Sequence, residues 1–207
     1  MRLSDKAYHL IRQKIITLEL PPLSTINEQE LMDDLGLGRT PIREALQRLS
    51  AEDLVIFVPR RGIFVADISI TDLQKIFELR MILEGFCVQL VAQRATETQL
   101  VELEATVRTL EQVPEGDGKA LMATDERFHE LLYVAADNEF LADTLRRLHA
   151  LSFRLWHLAL NRLGNIRGAM EQHVKIAEAL KARDGGQAEA LIQQHISEFQ
   201  QQIKTVL

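Results

Sequence analysis

The stretch LGLGRTPIREALQRLSAEDL constrains the fold of this chain more than any other segment. Gly36-Leu37-Gly38 reads as a tight turn. Thr40 then precedes Pro41, whose ring suits the first helical position because no N–H is needed there. Ile42, Ala45, Leu46 and Leu49 recur at helical spacing and mark a buried face, leaving Arg39, Thr40, Arg43 and Gln47 near the start of that helix or on its outer side. Upstream, Leu3, Ala7, Leu10, Ile11, Ile15 and Leu18 predict an amphipathic helix over residues 5–19, stopped by Pro21-Pro22. Residues 27–35 predict a second, short helix with Asn27 as N-cap and Glu30 as its capping-box partner. Downstream, LVIFV and IFVADI are two β-type runs joined by the basic turn PRRG, a hairpin signal. Helix, helix, tight turn, helix, hairpin is the order of a winged helix-turn-helix, in which the helix after the turn enters the DNA major groove.

Charge divides the chain in the same place. The net charge is −6, yet residues 1–66 hold nine Lys/Arg and nine Asp/Glu, so the remainder carries the whole deficit. Residues 36–66 hold five arginines against three acids. Arginine is the side chain best suited to a bidentate contact with guanine O6 and N7. The Arg60-Arg61-Gly62 tip would lie on phosphates or in the minor groove, where glycine permits close approach of the backbone. Taken alone, these arginines fit equally well a solvated helix face and a soluble turn. The low counts of Gly (10) and Pro (5), with 46% hydrophobic residues, exclude disordered and fibrous classes. The one cysteine, Cys87, excludes an internal disulfide framework and fits a reducing compartment. No apolar run approaches the ~18–20 residues of a membrane span, and MRLSDKAYHLIRQK has no signal-peptide apolar segment. The expectation is a soluble, cytoplasmic protein.

After Ile70 strand-type alternation disappears. Six helical stretches are predicted, roughly over residues 71–94, 97–113, 117–136, 139–162, 166–182 and 185–205. Thr71 caps the first, and Thr96 with Gln99 forms a capping box for the second. Breaks fall at Pro114-Glu115-Gly116-Asp117, Asp137-Asn138, Gly164-Asn165 and Asp184-Gly185-Gly186. Short connections make the product an antiparallel helical bundle. The fold class is thus mainly α: a winged helix-turn-helix over residues 1–67, then an all-helical bundle of about six helices over 68–207.

Asp125 and His129 stand four apart and project from one helix face. His173 and His195 lie on the last two helices, each eleven residues from Asp184 in the intervening turn, so an antiparallel hairpin brings them to one level. One carboxylate and three imidazoles suit a borderline divalent ion such as Zn²⁺, and also Ni²⁺ or Mn²⁺, with coordination positions left open. The spacing fits equally a surface hydrogen bond between Asp125 and His129 and two separately satisfied histidines. His9, His149 and His157 read as structural or surface residues, and Trp156, Phe153 and Leu160 as core. A His/Asp metal site could also activate water in a metallohydrolase. Glu126 and Glu130 are the only bases near by in sequence, and as helical neighbours both point away from the Asp125/His129 face.

LGLGRTPIREALQRLSAEDLVIFVPRRGIFV resembles the DNA-binding module of the GntR family of bacterial transcription regulators, with R-T-P-x-R-E-A-L its most specific part. By position, the resemblance implies that Arg39, Thr40 and Arg43 contact operator bases and phosphates and that Gly62 marks the wing tip. The family usually has Ser or Thr where this chain has Gly38, so a cap hydroxyl is lost there. FELRMILEGFCVQLVA, DERFHELLY with ADNEFL, EQHVKIAEAL and ARDGGQAEALIQQHI resemble the effector domain of the FadR-type subfamily, often called FCD. That resemblance implies a divalent metal on Asp125, His129, His173 and His195, and a small carboxylate effector at or beside the ion. Arg80, one turn before Glu84, is a candidate effector ligand or else half of an intrahelical ion pair. The function implied is a homodimeric, ligand-responsive regulator of double-stranded operator DNA, a repressor by the commoner habit of the family. A metal-free bundle holding a larger organic effector is the alternative.

Overall fold

The computed structural model describes residues 2–114, 116–159 and 166–206. The chain divides into two compact units, Met1–Ile70 with Ala150–Leu158, and Thr71–His149 with Ala159–Leu207.

In the first unit the expected order of elements is present. Helix α1 spans Leu3–Ile16, α2 Glu28–Leu35 and α3 Arg39–Ala51, followed by strands β2 (Val55–Val58) and β3 (Gly62–Val65). The apolar stripe of α1 (Ala7, Ile11, Ile15) packs on that of α3 (Ile42, Ala45, Leu46, Leu49), and all seven residues are fully buried. Asn27 caps α2, its side chain accepting from the backbone of Gln29 and Glu30 and donating to the Glu30 carboxylate at 2.9 Å. Gly36 ends α2 in the left-handed conformation. The hairpin pairs Val55 with Val65 through Val58 with Gly62. Its turn is closed by Arg61 N–H on the Val58 carbonyl and by Gly62 at φ 110°, a conformation that favours glycine.

Four details depart from the sequence reading. The first helix stops at Ile16, because Leu18 turns to φ 61° ahead of the prolines. Pro41 occupies the third helical position rather than the first, where its missing N–H is still one of the helix's unpaired donors. The second run of the hairpin leaves the sheet after Val65. A two-residue strand, β1 (Thr25–Ile26), adds antiparallel to β3 and gives the order β1-β3-β2. A strand of two residues, in the four that separate Pro22 from the N-cap Asn27, is too short to carry a periodic signal. Within the same unit, buried Arg154 donates to the Ala66 carbonyl at 2.5 Å, and burial pulls its guanidinium down to about 10.

The rest of the described chain is helical: α4 (Ile70–Arg94), α5 (Glu97–Arg108) with a 3-10 turn over Thr109–Gln112, α6 (Gly118–Ala135), α7 (Glu139–Ala159), α8 (Ile166–Lys181) and α9 (Gly185–Val206), all in the second unit apart from Ile70 and the Ala150–Leu158 part of α7. The Thr96–Gln99 capping box forms in both directions. Thr71, expected as a cap, lies inside the first turn of α4. Helix α5 packs on α6 and α8, α6 on α8, and α8 on α9. These helices, with the Phe77–Phe199 ring contact at 5.5 Å, close a core around buried Phe128, Leu132, Ile176, Leu180, Ile192 and Ile203. Leu160, Glu115 and the break expected at Gly164-Asn165 lie outside the described residues. No described helix is long and apolar enough to cross a membrane.

Candidate metal centre and nucleic-acid interface

On the first unit, Arg39, Thr40, Arg43 and Gln47 are all exposed along one side of α3, and Arg60, Arg61 and Gly62 are exposed at the hairpin tip. Gly38 is the N-cap of α3 and contributes no side-chain cap bond, so the α3 N-terminus keeps free backbone donors on the exposed side. Arg43 Nε donates to Glu28 Oε1 of α2 at 2.7 Å, while its side chain stays 62% exposed. Glu28 therefore holds one edge of the guanidinium and leaves the two terminal nitrogens for a bidentate contact.

The second unit buries the polar cluster that the spacing suggested. Asp125 and His129 come from α6, His173 from α8 and His195 from α9; all four are buried, and one ligand atom from each lies within 4.8 Å of the others. Asp125 Oδ1 is the hub, with Nε2 of His173 at 3.4 Å, of His129 at 3.7 Å and of His195 at 3.9 Å. Ligands about 2.1 Å from one tetrahedral ion sit about 3.4 Å apart, so these separations frame a cation-sized space. Asp125 Oδ1 and the Nε2 atoms of His129 and His173 are buried without hydrogen-bond partners among the described residues. Three orphaned acceptors converging on one point is costly unless something cationic joins them. The residues present fit a divalent ion.

Around these four lies a second layer. His149 Nε2 contacts Asp125 Oδ2 at 3.3 Å. Glu84 Oε2 lies 2.9 Å from His129 Nδ1, with the ring turned off the line of an ideal hydrogen bond. Glu84 Oε1 accepts from Arg80 through Nε at 2.7 Å and a terminal nitrogen at 2.6 Å. Arg80 is thus buried in the intrahelical ion pair that its sequence position allowed. Gln172 Oε1 faces His195 Nδ1 at 3.1 Å. Tyr133 hydroxyl is buried without a hydrogen-bond partner among the described residues, its ring 6.0 Å from that of His129 and 6.3 Å from that of His149.

The electrostatics follow from burial set against charge. Burial acts to raise the carboxyl groups, but the surrounding imidazoles hold Asp125 far below its ordinary range, and Arg80 with His129 does the same for Glu84. Burial brings His149 and His195 down to about 4 and His173 well below its ordinary value. His129 alone is raised, because Glu84 and Asp125 together outweigh its burial. The centre therefore offers one carboxylate and imidazoles that are mostly neutral, the state a metal requires of them. Of the bases a hydrolase would need, Glu130 is bound to Arg146 of α7 at 2.6 Å and so faces another partner.

The sequence reading missed His149, taken as structural, and did not consider Gln172 or Tyr133. Nothing in the spacing of His149 or Gln172 links them to Asp125; only the packing of α7 and α8 on α6 does, whereas Tyr133 follows His129 by four residues on α6 itself, a spacing that puts it on the Asp125/His129 face. Phe153 and Trp156 are buried, as their core reading expects.

Comparison with known proteins adds family relations to this geometry. Residues 3–65 match the family described as "Bacterial regulatory proteins, gntR family", and residues 75–198 match the FCD domain. The chain is 26% identical over 207 residues to the HTH-type transcriptional repressor RspR of Escherichia coli (strain K12), covering 98% of this chain and 90% of RspR. It is 30% identical over 193 residues to the Nta operon transcriptional regulator of Aminobacter aminovorans, covering 93% of this chain and 90% of that protein. Among solved structures, E. coli McbR/YncC superposes with a TM-score of 0.89 at 21% identity, over 99% of this chain and 98% of that one, which is a likeness of fold.

Proposed function

The chain belongs to the GntR family of bacterial regulatory proteins, its helix-turn-helix module followed by an FCD domain, and from that premise we propose a metal-dependent, ligand-responsive repressor that binds its operator as a homodimer. The observation that carries the metal-dependent part is the convergence of Asp125, His129, His173 and His195 on one buried, cation-sized space. These four residues would hold a Zn²⁺, Ni²⁺ or Mn²⁺ ion, which would supply positive charge and, if its shell exceeded the four protein atoms, a place for an exogenous ligand. Glu84 and Arg80 cancel each other, so a divalent ion with Asp125 leaves the centre one unit positive. In a low-dielectric interior that favours an anion, which is why we assign a small carboxylate as effector. Tyr133 hydroxyl would supply it a hydrogen bond.

Arg39, Thr40 and Arg43 of α3 would read base edges and phosphates in the major groove, with Gly62 letting the wing backbone approach the duplex. A twofold dimer would read a pseudo-palindromic site. The effector acts as a switch only through unequal affinity for the DNA-competent and DNA-incompetent dimers.

Metal content of chain purified without chelator or histidine tag, measured beside His173→Ala and His195→Ala, tests the centre. About one ion per chain, lost in both variants, is expected; an unsubstituted protein that neither carries nor takes up metal would leave the metal-free alternative. The DNA assignment is tested separately on duplexes selected from a random pool, where Arg43→Ala should weaken specific binding by ~1–3 kcal/mol. Unchanged affinity would remove α3 as the reading helix.

A further inference from the structure

We propose that Glu84 and Gln172 are positioning residues of the metal centre, Gln172 by a hydrogen bond to His195 Nδ1 and Glu84 by its charge set against His129 Nδ1, so that Nε2 is the nitrogen each ring presents to the ion. This rests on the metal centre proposed above and adds the groups that decide which ring atom binds.

Two chains of polar contacts lead inward to the site. In the first, Arg80 occupies Glu84 Oε1 through two nitrogens, which leaves Oε2 to face His129 Nδ1 at 2.9 Å. A carboxylate charge this close favours the proton of His129 on the nitrogen that faces it, Nδ1, although the two do not meet hydrogen-bond geometry. Its Nε2 then carries the lone pair, 3.7 Å from Asp125 Oδ1. In the second, Glu198 Oε2 accepts from Gln172 Nε2, which fixes the amide so that its oxygen points to His195 Nδ1 at 3.1 Å. The His195 proton is thereby also placed on Nδ1, and its Nε2 faces the same Asp125 oxygen at 3.9 Å. His149 completes the pattern on the anionic ligand: its Nε2 lies 3.3 Å from Asp125 Oδ2, which leaves Oδ1 as a single, monodentate donor.

Three of the four ligand atoms are thus selected by three side chains that do not themselves ligate. Such partners raise ligand basicity and remove the entropy of tautomer and ring orientation. His173 differs: its Nδ1 has no partner among the described residues, and its ring is held by packing on Phe128 at 4.5 Å.

The test is the affinity of the full chain for Zn²⁺, read by competition with a chromogenic chelator, in Gln172→Ala, in Glu84→Gln and in the double swap Gln172→Glu with Glu198→Gln. Each single substitution should weaken Zn²⁺ ten- to a hundredfold. The double swap restores an acceptor at His195 Nδ1, held by a donor from position 198, and should return affinity to within a few-fold of the unsubstituted chain. Nitrogen-15 spectra of the Zn²⁺-loaded protein should show His129 and His195 protonated at Nδ1, with the His195 signal alone displaced in Gln172→Ala. Glu84→Gln leaves a buried guanidinium without its carboxylate and should also lower the melting temperature; Gln172 is half-buried, so its variants read the centre without that complication. Unaltered Zn²⁺ affinity in Gln172→Ala, or no recovery in the double swap, would overturn the positioning role alone. Failure of the unsubstituted chain to take up Zn²⁺ would overturn the metal centre and the relays with it.

Discussion

Tyr8 shows how one polar side chain on an apolar helix face is accommodated. Its ring is buried on α1, its hydroxyl donates to both carboxylate oxygens of Glu52 at 2.9 Å, and Arg48 stacks over the ring at 4.0 Å. Burial first, and Glu52 second, push the phenol up to about 12. An unfolded tyrosine loses its proton near pH 10, so between about pH 10 and 12 the folded state keeps a proton that the unfolded state has released. Stability must then fall as pH rises, by up to about 1.4 kcal/mol per pH unit across that window. Tyr8→Phe should remove this component while lowering stability below pH 10, since Glu52 loses its donor. Denaturant titrations of both proteins at pH 8 and pH 11 check it; an equal alkaline loss in the two would show that Tyr8 is not the responsible group.

Helix boundaries are where local chemistry and packing agree best in this chain. The Thr96–Gln99 box satisfies the N-cap and N3 backbone donors of α5 reciprocally. Thr96→Ala should cost about 1 kcal/mol, seen as a melting temperature lowered by about 2–4 °C; no shift would mean that packing alone sets where α5 begins. This box, the Asn27 cap and the stripes of α1 and α3 were legible in sequence because each is a contact within a few residues. The Asp125/His129 pair was legible for the same reason, and His173 with His195 because a short turn sets two helices in antiparallel register. The polar layer around them was not. Glu84 was visible only as a neighbour of Arg80, while His149 and Gln172 acquire roles through which faces of α4, α7 and α8 meet α6. The short strand β1 was hidden in the same way, since its pairing with β3 spans about forty residues and its own two carry no period.

At the scale of the whole molecule, one feature of the bundle calls for a partner. Leu79, Ile82 and Phe86 stand on one side of α4 and are 51%, 68% and 47% exposed. Three large apolar residues at helical spacing form a stripe that a soluble monomer would ordinarily cover or lack. A second copy of the chain is the occupant that the dimer reading requires, and a twofold contact sets this patch against itself or a neighbour. Ile82→Glu adds a like charge to both copies of the interface while disturbing no buried side chain. Sedimentation should therefore show a folded monomer for the variant, and the dimer reading expects a dimer for the unsubstituted protein. Its affinity for a two-half-site operator should fall by about a hundredfold or more, because the second half-site no longer binds at high effective concentration. Affinity for an isolated half-site should stay unchanged, since α3 and the wing are untouched. A variant that remains dimeric would move the interface away from α4, and a dimer lost without loss of operator affinity would remove the need for two reading heads.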